Sequence, residues 1–531
     1  LAAPPRLSDD ACMNHRLSPG KVPWELIAEL VSGSLPPEVV LGPAAGEDAA
    51  LVELGGELWA VASDPVSFTA ADAGRLAVIV NANDVAVLGA RPRFFLAVGL
   101  IAPGEASEPH IRGLLTQVRE ACAEVGAVLV GGHTEITPGL PHSMVVGTML
   151  GKVESRALTT GGLRAGDLVG MTRTAGLEGT SILLAEHGAR LRELPEVAAR
   201  FDDAATHASN LSVVAEALAA ASCRGVSALH DVTEGGVGEA LHEMAVASGL
   251  ALEAAREAVP VLPVTGAVCR ALGMDPLGLI GSGSLLVGCS PEGSSEVEQA
   301  LAAIDVPLAW LGRAEAAPAP RSSLPRFPRD ELLRAGVMAG IKGVVFDMDG
   351  TLVDSIYDWP AIRRELGVSG ASIIDELNGL GEPERGRRWA ELEAIEGSAS
   401  RAAELHEGAA DLLELLAARG LATALVTNNS DANTGELLER FGLGFDVVVT
   451  RDSGFWKPSG KPIAEAVRRL GLEPGVCLGV GDSHYDLLAA REAGLAAVCM
   501  LNDGHGLHAG EAELSFADIP AFMRYLKIVL K

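Results

Sequence analysis

The segment that most constrains the fold is residues 342–351, which read Lys-Gly-Val-Val-Phe-Asp-Met-Asp-Gly-Thr. A short apolar run of this kind predicts a buried β-strand. The strand would end at Asp347 and Asp349, just before a glycine turn. Open α/β sheets bind their ligands at the carboxyl ends of their strands. The segment therefore predicts an α/β domain with two carboxylates at its ligand-binding edge.

Further polar groups follow strand-like runs downstream of this motif. They are Thr427 after residues 424–426, Lys457 before Pro458, and Asp482 and Asp486 after residues 478–481. Phosphoryl transfer to a carboxylate needs a nucleophilic aspartate and an acid that protonates the leaving oxygen. It also needs a hydroxyl and an ammonium that hold the phosphoryl oxygens, and a divalent metal. Together the segments supply side chains of each required type.

The order of these motifs over residues 341–515 resembles the haloacid dehalogenase superfamily, in its phosphatase branch. The resemblance implies that Asp347 is the nucleophile and forms an aspartyl-phosphate, and that Asp349 is the general acid and base. It implies that Thr427 and Lys457 hold the phosphoryl group. Lys461-Pro462 offers a second lysine, and we assign Lys457 because it lies nearer the loop at residues 452–454.

The same resemblance implies a Mg²⁺ site next to the nucleophile. Its ligands would be Asp347, Asp482 and the backbone carbonyl of Asp349, with Asp486 as a supporting acid near the metal. Carboxylate oxygens are ligands that Mg²⁺ accepts readily in phosphoryl-transfer sites.

A helical insertion of about 50 residues separates Asp354 from Glu407. In phosphatases of this kind, an insertion at this point is a cap that closes over the substrate and excludes water. Arg363, Arg387 or Arg388 could read an anionic group on the substrate, although arginines on a helix more often form a solvated face. The expected substrate is a small phosphorylated metabolite, and the expected activity is like that of phosphoglycolate phosphatase.

Three separated aspartates characterise the N-terminal part of the chain: Asp48, Asp64 and Asp84. Taken singly, an aspartate at the end of a strand is more often a turn or capping residue. Taken together, and with glycine-rich neighbours, the three carboxylates suit Mg²⁺ ions that bridge a polyphosphate. The sequence has no Gly-x-x-x-x-Gly-Lys-[Ser/Thr] motif, so the P-loop route to ATP is absent.

Residues 80–85, 131–135 and 230–236 read Val-Asn-Ala-Asn-Asp-Val, Gly-Gly-His-Thr-Glu and His-Asp-Val-Thr-Glu-Gly-Gly. With their neighbours, from about residue 18 to 312, they resemble the aminoimidazole ribonucleotide (AIR) synthetase superfamily, in its HypE-like subgroup. That superfamily also includes thiamine-phosphate kinase and selenophosphate synthetase. The resemblance implies an N-terminal half that forms a homodimer through its sheet, and a second half. It also implies that ATP and Mg²⁺ bind in the cleft between the halves.

Site residues follow from this second resemblance. Asp48, Asp64 and Asp84 would hold the metal and the triphosphate, Asn83 and Thr148 would line the nucleotide site, and Asp231 and Glu234 would complete it. Many relatives carry an acid where His133 stands; a neutral imidazole could still ligate the metal or bond to a backbone carbonyl. HypE itself, a hydrogenase maturation factor, ends in a tail with a cysteine that receives a carbamoyl group. This domain instead continues into a proline-rich segment, so carbamoyl dehydration is not transferred to it.

The prolines at 318, 320, 325 and 328 predict an extended connector without helix or sheet hydrogen bonds. The predicted domains are an N-terminal extension (1–17), two halves of the first body (18–158 and 159–312), a linker (313–340) and a hydrolase (341–531) with a cap at about 355–407. The predicted fold class is α/β: a two-half α+β body, followed by a Rossmann-like core with a small helical cap.

Charge and composition restrict the classes of partner that the protein is expected to bind. Forty-one Lys and Arg against 70 Asp and Glu give a net charge of −29, which repels phosphate backbones and anionic lipid, so neither nucleic acid nor a membrane is an expected partner. The scattered cysteines lack Cys-x-x-Cys spacing and indicate a reducing, cytoplasmic setting.

The sequence thus favours a bifunctional enzyme: an ATP- and Mg²⁺-dependent synthetase or kinase joined to a Mg²⁺-dependent phosphatase. One alternative is a thiamine-phosphate kinase-like activity followed by dephosphorylation. Another is a nucleotide-sensing, dimerising platform that regulates the phosphatase. Mutually repelling carboxylates in the first body argue against a mere scaffold.

Overall fold

The computed structural model describes residues 20–31, 33–66, 72–201, 210–355, 357–369, 372–501 and 511–530. The chain divides into two compact units, residues 1–270 with 274–332 and residues 271–273 with 333–531. Both units mix helices with sheets, which confirms the predicted α/β class. Among the described helices, none combines the length and apolar character needed to cross a membrane.

The first half of the first unit is built on a seven-stranded sheet in the order β1-β2-β3-β7-β5-β6, with β4 also paired to β7. Strands β5 and β6 are parallel and the other pairs are antiparallel. The strands are β1 (Val39–Leu41), β2 (Ala50–Leu54), β3 (Glu57–Ala62), β4 (Pro65–Val66), β5 (Ala90–Ile101), β6 (Val128–Ile136) and β7 (Met144–Val153). The helices are α1 (Trp24–Val31), α2 (Ala73–Val87) and α3 (Glu108–Glu124).

The second half of this unit has a six-stranded sheet in the order β13-β10-β12-β8-β11-β9. Its strands are β8 (Leu168–Thr172), β9 (Val226–Asp231), β10 (Ala251–Ala254), β11 (Leu285–Cys289), β12 (Leu308–Glu315) and β13 (Arg321–Ser322). The helices are α4 (Leu177–Leu191), α5 (Pro195–Ala198), α6 (Val214–Ser222), α7 (Gly236–Ser248), α8 (Pro263–Leu272) and α9 (Ser294–Ala302).

Helix α2 is apolar almost all round, and it carries Asn83 and Asp84 at buried positions. It packs on β7 and on α6, so it lies between the two halves. A helix of this kind has no solvated face to which its polar residues could turn. Asp84 therefore sits inside a buried helix, whereas Asp48 and Asp64 lie in loops beside β2 and β3.

The prediction that residues 313–340 form an extended linker is wrong for most of that segment. Strand β12 continues to Glu315, and β13 pairs in parallel with β10 through Arg321 N–H to Leu250 and Ser323 N–H to Leu252. Proline is tolerated beside such a short edge strand because the strand needs partners on one side only.

Asp330 ties the end of this segment to the first unit. It is buried, and its carboxylate accepts hydrogen bonds from Gly235 N–H at 2.7 Å and from Leu332 N–H at 2.8 Å. The boundary between the compact units consequently falls after Leu332, well past the predicted end of the first body at 312.

The second unit has a six-stranded, wholly parallel sheet in the order β18-β17-β14-β19-β20-β21 and a separate β15-β16 pair. The strands are β14 (Gly343–Phe346), β15 (Val353–Asp354), β16 (Glu404–Leu405), β17 (Ala422–Val426), β18 (Val447–Val449), β19 (Cys477–Gly481), β20 (Ala497–Leu501) and β21 (Leu514–Phe516). Helices outside the cap are α10 (Leu333–Gly336), α14 (Ala409–Ala418), α15 (Asp431–Phe441), α16 (Lys461–Leu470), α17 (His484–Glu492) and α18 (Ile519–Val529).

Three helices occupy the insertion where the sequence predicts a cap: α11 (Trp359–Leu366), α12 (Ile373–Gly379) and α13 (Glu384–Ala402). Side-chain oxygens of Asp358 and Ser372 accept backbone N–H groups at the starts of α11 and α12, which satisfies donors that a helix N-terminus leaves free. The three helices bury a small apolar core of their own, which includes Ile362, Leu377 and Leu392.

Candidate functional sites

The first candidate site lies at the carboxyl edge of the parallel sheet in the second unit. Three adjacent strands, β17, β14 and β19, end there and are followed by Thr427, Asp347 and Asp482. Strands in a parallel sheet all point the same way, so the residues that follow them meet at one edge. The sequence motifs thus converge although up to 135 residues separate them.

Lys457 is buried at the centre of this site. Its Nζ donates to Asp347 Oδ1 and to Asp486 Oδ1, the latter at 2.5 Å. Burial alone would lower the pKa of Lys457, but the two carboxylates outweigh it and raise that pKa, so the ammonium stays charged. Asn428 holds the lysine backbone from both sides, accepting from its N–H at 2.7 Å and donating to its C=O at 2.9 Å. The second candidate, Lys461, is exposed at the start of α16.

Three carboxylates form a group that could hold a metal ion. Oxygens of Asp347, Asp482 and Asp486 all lie within 4.8 Å of one another. Burial, reinforced by the nearby charge of Asp486, raises the pKa of Asp482 to about 7. Hard oxygen donors with mutual repulsion fit Mg²⁺, because a divalent cation would relieve that repulsion.

Asp349 lies close to Asp347 but outside this group of three. Ser355 Oγ donates to its Oδ1 at 2.5 Å, and Asn429 Nδ2 lies 3.4 Å from its Oδ2. Burial raises the pKa of Asp349. A raised pKa favours the protonated form, which is the form that a general acid needs.

A cavity of about 410 Å³ opens on these groups. Polar residues of the sheet edge form its floor, among them Asp347, Asp349, Thr427, Lys457 and Asp482. The cap supplies the remaining wall with Tyr357, Trp359, Arg363, Ile373, Ile374, Leu392 and Glu396. Of the three cap arginines considered from sequence, Arg363 lines the cavity, whereas Arg387 and Arg388 pair with Glu384 along α13.

The second candidate site lies between the halves of the first unit. Asp48, in the loop before β2, brings its Oδ2 to 2.7 Å from Nδ1 of His230, which lies near the end of β9. The other ring nitrogen of His230 is 3.2 Å from Glu243 Oε2, and Lys21 Nζ donates to Glu243 Oε1 at 3.1 Å. Burial would lower the pKa of His230, but the two flanking carboxylates raise it well above its usual value.

Ligand atoms of Asp48, His230 and Asp231 lie close enough together to hold a metal ion. A histidine whose two nitrogens both donate to carboxylates is an imidazolium and has no lone pair for a metal. We therefore expect the carboxylates to supply the ligands and His230 to offset part of their charge.

Asp84 and Asp231 carry buried carboxylate oxygens without a hydrogen-bond partner in the described part of the chain. Burial, with added repulsion from Asp48, raises the pKa of Asp231 to about 8. Burial and the charge of Asp231 also raise the pKa of Asp84. Unpartnered buried acids are costly, and cations would relieve that cost. The donor set thus fits Mg²⁺.

Asp64 is positioned by a residue that the sequence analysis did not single out. Asn81, also on α2, accepts from the Asp64 N–H at 2.9 Å and donates to its C=O at 3.2 Å. Thr148 lies beside this loop, 2.9 Å from the Ser63 hydroxyl. Glu234 follows β9 and has a buried Oε1 without a partner among the described residues.

Asn83 does not join the carboxylate cluster. Its Nδ2 donates to the Leu211 C=O at 3.0 Å and its Oδ1 accepts from the Val213 N–H at 2.8 Å. These bonds fasten α2 to the segment before α6 and engage both side-chain polar atoms of Asn83; its role in lining a nucleotide site stays a prediction.

His133 is likewise placed away from the buried acids. It lies on β6, whose residues are all exposed, and its Nε2 is 3.3 Å from Glu135 Oε2. The histidine that does contact the acids is His230. The feature of the sequence that could have identified His230 is its position directly before Asp231.

The fold and the two sites define a class of chain in which a two-half, acid-rich α+β domain precedes a parallel-sheet α/β domain with a helical cap. Three family models match: AIR synthase related protein, N-terminal domain, over residues 46–153; its C-terminal domain over 164–324; and haloacid dehalogenase-like hydrolase over 374–494. The chain belongs to the AIR synthase-related family, with HypE homologues, in its N-terminal part and to the haloacid dehalogenase-like hydrolases in its C-terminal part.

Individual relatives cover the two parts separately. The carbamoyl dehydratase HypE of Rhodobacter capsulatus is 32% identical over 293 residues, which cover 54% of this chain and 82% of that protein. An uncharacterized hydrolase of Saccharomyces cerevisiae is 30% identical over 201 residues, covering 35% of this chain and 91% of that protein. A solved structure of the hydrogenase maturation protein HypE in complex with ATP has 24% identity and a TM-score of 0.43, covering 57% of this chain and 88% of that one.

Proposed function

We propose that the second unit is a Mg²⁺-dependent phosphatase that works through an aspartyl-phosphate on a small phosphorylated metabolite. The observation that carries the proposal is the position of Asp347, at the floor of a cavity between the Lys457 ammonium and two further carboxylates. A carboxylate in this place can attack phosphorus, and an ammonium beside it can hold the phosphoryl oxygens.

The chain's own residues account for the remaining steps. Thr427 would hold the phosphoryl group with Lys457, and Asp349, protonated through its raised pKa, would give its proton to the leaving oxygen. The same carboxylate would then take a proton from the water that hydrolyses the acyl-phosphate. Asp347, Asp482 and Asp486 would hold Mg²⁺, which when bound neutralises negative charge on the phosphoryl oxygens.

Replacing the nucleophile tests this proposal. Asp347→Asn keeps the shape of the side chain but removes the attacking charge, so phosphate release from a panel of phosphometabolites should fall by about 10³-fold or more. Asp411→Asn is a matched control, because Asp411 is an exposed aspartate on α14. Activity that survives Asp347→Asn at the level of the control would rule out the covalent mechanism.

For the first unit we propose ATP and Mg²⁺ binding in the service of a synthetase or kinase activity. The support is the pair of buried acids, Asp84 and Asp231, whose oxygens lack partners among the described residues. The relatives' carbamoyl dehydration is not part of the proposal. A thiamine-phosphate kinase-like activity remains the second candidate, and adding thiamine phosphate as acceptor distinguishes it.

Calorimetric titration with ATP and Mg²⁺ tests the site. Asp84→Asn removes a full charge next to the expected metal, so affinity should fall at least tenfold, about 1.4 kcal/mol. Asp305→Asn is the control, because Asp305 is exposed and has φ of 57°, a conformation that asparagine accepts readily. Equal affinity in both variants would mean that the acids do not bind nucleotide. Binding without any turnover would favour a sensing platform instead.

We also propose that the first unit dimerises through β6. This edge strand exposes Val128, Val130 and Ile136 at 60, 54 and 57% of their surfaces. An exposed apolar edge favours pairing with another chain. Val130→Lys should shift the mass measured by light scattering from dimer to monomer, and a wild-type chain that is monomeric at micromolar concentration would overturn this proposal.

A further inference from the structure

The cap contributes a buried carboxylate to the phosphatase cavity. Glu396 lies on α13, is 6% exposed and lines the same cavity as Asp347 and Asp349. Its Oε1 accepts from Arg451 Nη1 at 2.5 Å. Its Oε2 is buried and has no hydrogen-bond partner in the part of the chain that the structure describes. A buried carboxylate oxygen without a partner is unfavourable, so a ligand that donates a hydrogen bond to it gains affinity.

The charge of this carboxylate is already balanced. Arg451 is itself buried, also donates to the Asn428 C=O at 3.2 Å, and lies with its guanidinium 5.1 Å from the centre of the Trp389 ring. Burial raises the pKa of Glu396, and the hydrogen bond and charge of Arg451 offset part of that rise. The ion pair with Arg451 at 2.5 Å contains the ionised form of Glu396, in which both oxygens are acceptors. The pair has no net charge, so it suits a neutral donor better than an ammonium.

The location of Glu396 distinguishes it from other buried polar groups nearby. Ser400, Thr434 and Arg451 also carry buried atoms without partners among the described residues, but none of the three lines the cavity. Only a group that lines the cavity can meet the substrate.

Apart from Arg363 and Ser372, the rest of the cap wall is apolar and aromatic. Tyr357 and Trp359 stack with ring centres 4.6 Å apart, and Ile373, Ile374 and Leu392 continue the surface. A cavity of about 410 Å³ admits a short carbon chain or a single ring. The leaving group therefore meets a largely apolar surface that carries one carboxylate acceptor and, from Arg363, one guanidinium.

We propose that the cavity selects phosphomonoesters whose leaving group carries a neutral hydroxyl, and that Glu396 is the residue that recognises this hydroxyl. The proposal rests on the phosphatase function proposed above. It assigns the substrate class to hydroxylated organic phosphates and makes Glu396 a specificity-determining residue.

The test compares matched esters with the full-length protein and Mg²⁺. The pairs are glycerol 3-phosphate with n-propyl phosphate, and xylitol 5-phosphate with n-pentyl phosphate. In the wild type, kcat/KM should be at least tenfold higher for the hydroxylated member of at least one pair. In Glu396→Gln that ratio should fall, because the amide carbonyl would keep the bond from Arg451 and leave an NH2 donor where the second carboxylate oxygen accepts. Glu393→Gln, an exposed position on the same helix, should leave the ratio unchanged.

Because the measurement is a ratio within one protein sample, partial unfolding of a variant cancels. If Glu396→Gln is insoluble, Glu396→Asp keeps the charge but shortens the side chain, and the ratio should again fall.

A wild-type ratio near one in both pairs, or a ratio equal in wild type and Glu396 variants, would overturn the proposal. Preference for phosphoglycolate, which has a second anion and no hydroxyl, would also overturn it. Failure of the wild type to hydrolyse 4-nitrophenyl phosphate and all four esters would instead count against the phosphatase function itself.

Discussion

Lys457 neutralises two buried carboxylates, so its removal should destabilise the second unit severely. The ammonium is 5% exposed and contacts Asp347 and Asp486, whose side chains are 10 and 8% exposed. Removing one partner from a buried ion pair leaves uncompensated charge and costs about 3–5 kcal/mol. Because these groups are almost fully buried, screening by solvent reduces this figure little. Lys457→Met keeps the length of the side chain while it removes the charge.

Urea unfolding of the full-length chain without divalent cations measures this effect. At about 1–3 kcal/mol per molar urea, a loss of 3 kcal/mol lowers the midpoint of the second unit by about 1–3 M. Tryptophan fluorescence reports the transitions, and hydrogen exchange in β14 assigns the one that belongs to this unit. Lys461→Met is the matched control, because Lys461 is exposed and its Nζ lies 5.9 Å from the Phe455 ring, a contact worth at most about 1 kcal/mol.

Added Mg²⁺ should restore more stability to Lys457→Met than to the wild type, because a ligand that binds only the folded state stabilises it and the variant has the greater unpaired negative charge. A Lys457→Met midpoint equal to that of Lys461→Met would refute the electrostatic reasoning.

Three further outcomes are expected. The folded-state pKa of Asp482, about 7, lies above the unfolded value of about 3.9, so between these pH values the folded chain binds one more proton than the unfolded chain. The stability of the metal-free protein should therefore rise as the pH falls from about 7 toward 4. Asp482→Asn should remove this part of the pH dependence in urea unfolding. A chain ending after Leu332 should unfold at higher urea than one ending after residue 320, which loses β13 and Asp330; equal midpoints would contradict the assigned boundary. Asn83→Ala should cost about 1–3 kcal/mol of stability by unpairing backbone groups, yet weaken ATP binding less than Asp84→Asn does in calorimetry.

The carboxylate site of the second unit shows how much of a site can be predicted from local sequence. Apolar runs before Asp347, Thr427 and Asp482 predict strands, and parallel strands bring their carboxyl ends to one edge whatever the separation along the chain. A site whose polar residues each directly follow a strand can therefore be predicted from the sequence without a structure. The helical character of the insertion before residue 407 can also be predicted from the sequence, because helix periodicity and capping depend on neighbouring residues.

Tertiary structure alone decided the features that depend on packing between distant segments. The prolines at residues 318–328 predict an extended linker. Whether part of that segment forms a strand depends on whether β10 has an edge available for pairing, and the structure shows that β13 pairs there. Asn83 and Asp84 are adjacent in sequence, yet one bonds to backbone and the other leaves an oxygen unpartnered among the described residues. The helix that carries both is buried on every side, so only its neighbours assign them different roles.

The same limit explains the charge network of the first unit and the cap carboxylate. His230 lies between Asp48 and Glu243, and 182 positions separate it from Asp48. Glu396 pairs with Arg451, which is 55 positions away in the sequence. The sequence by itself determines which residues are ionisable and which elements carry them. It does not determine which charges share a desolvated space, because burial and partner distance are set by how whole elements pack, and those two quantities decide the electrostatics of a site.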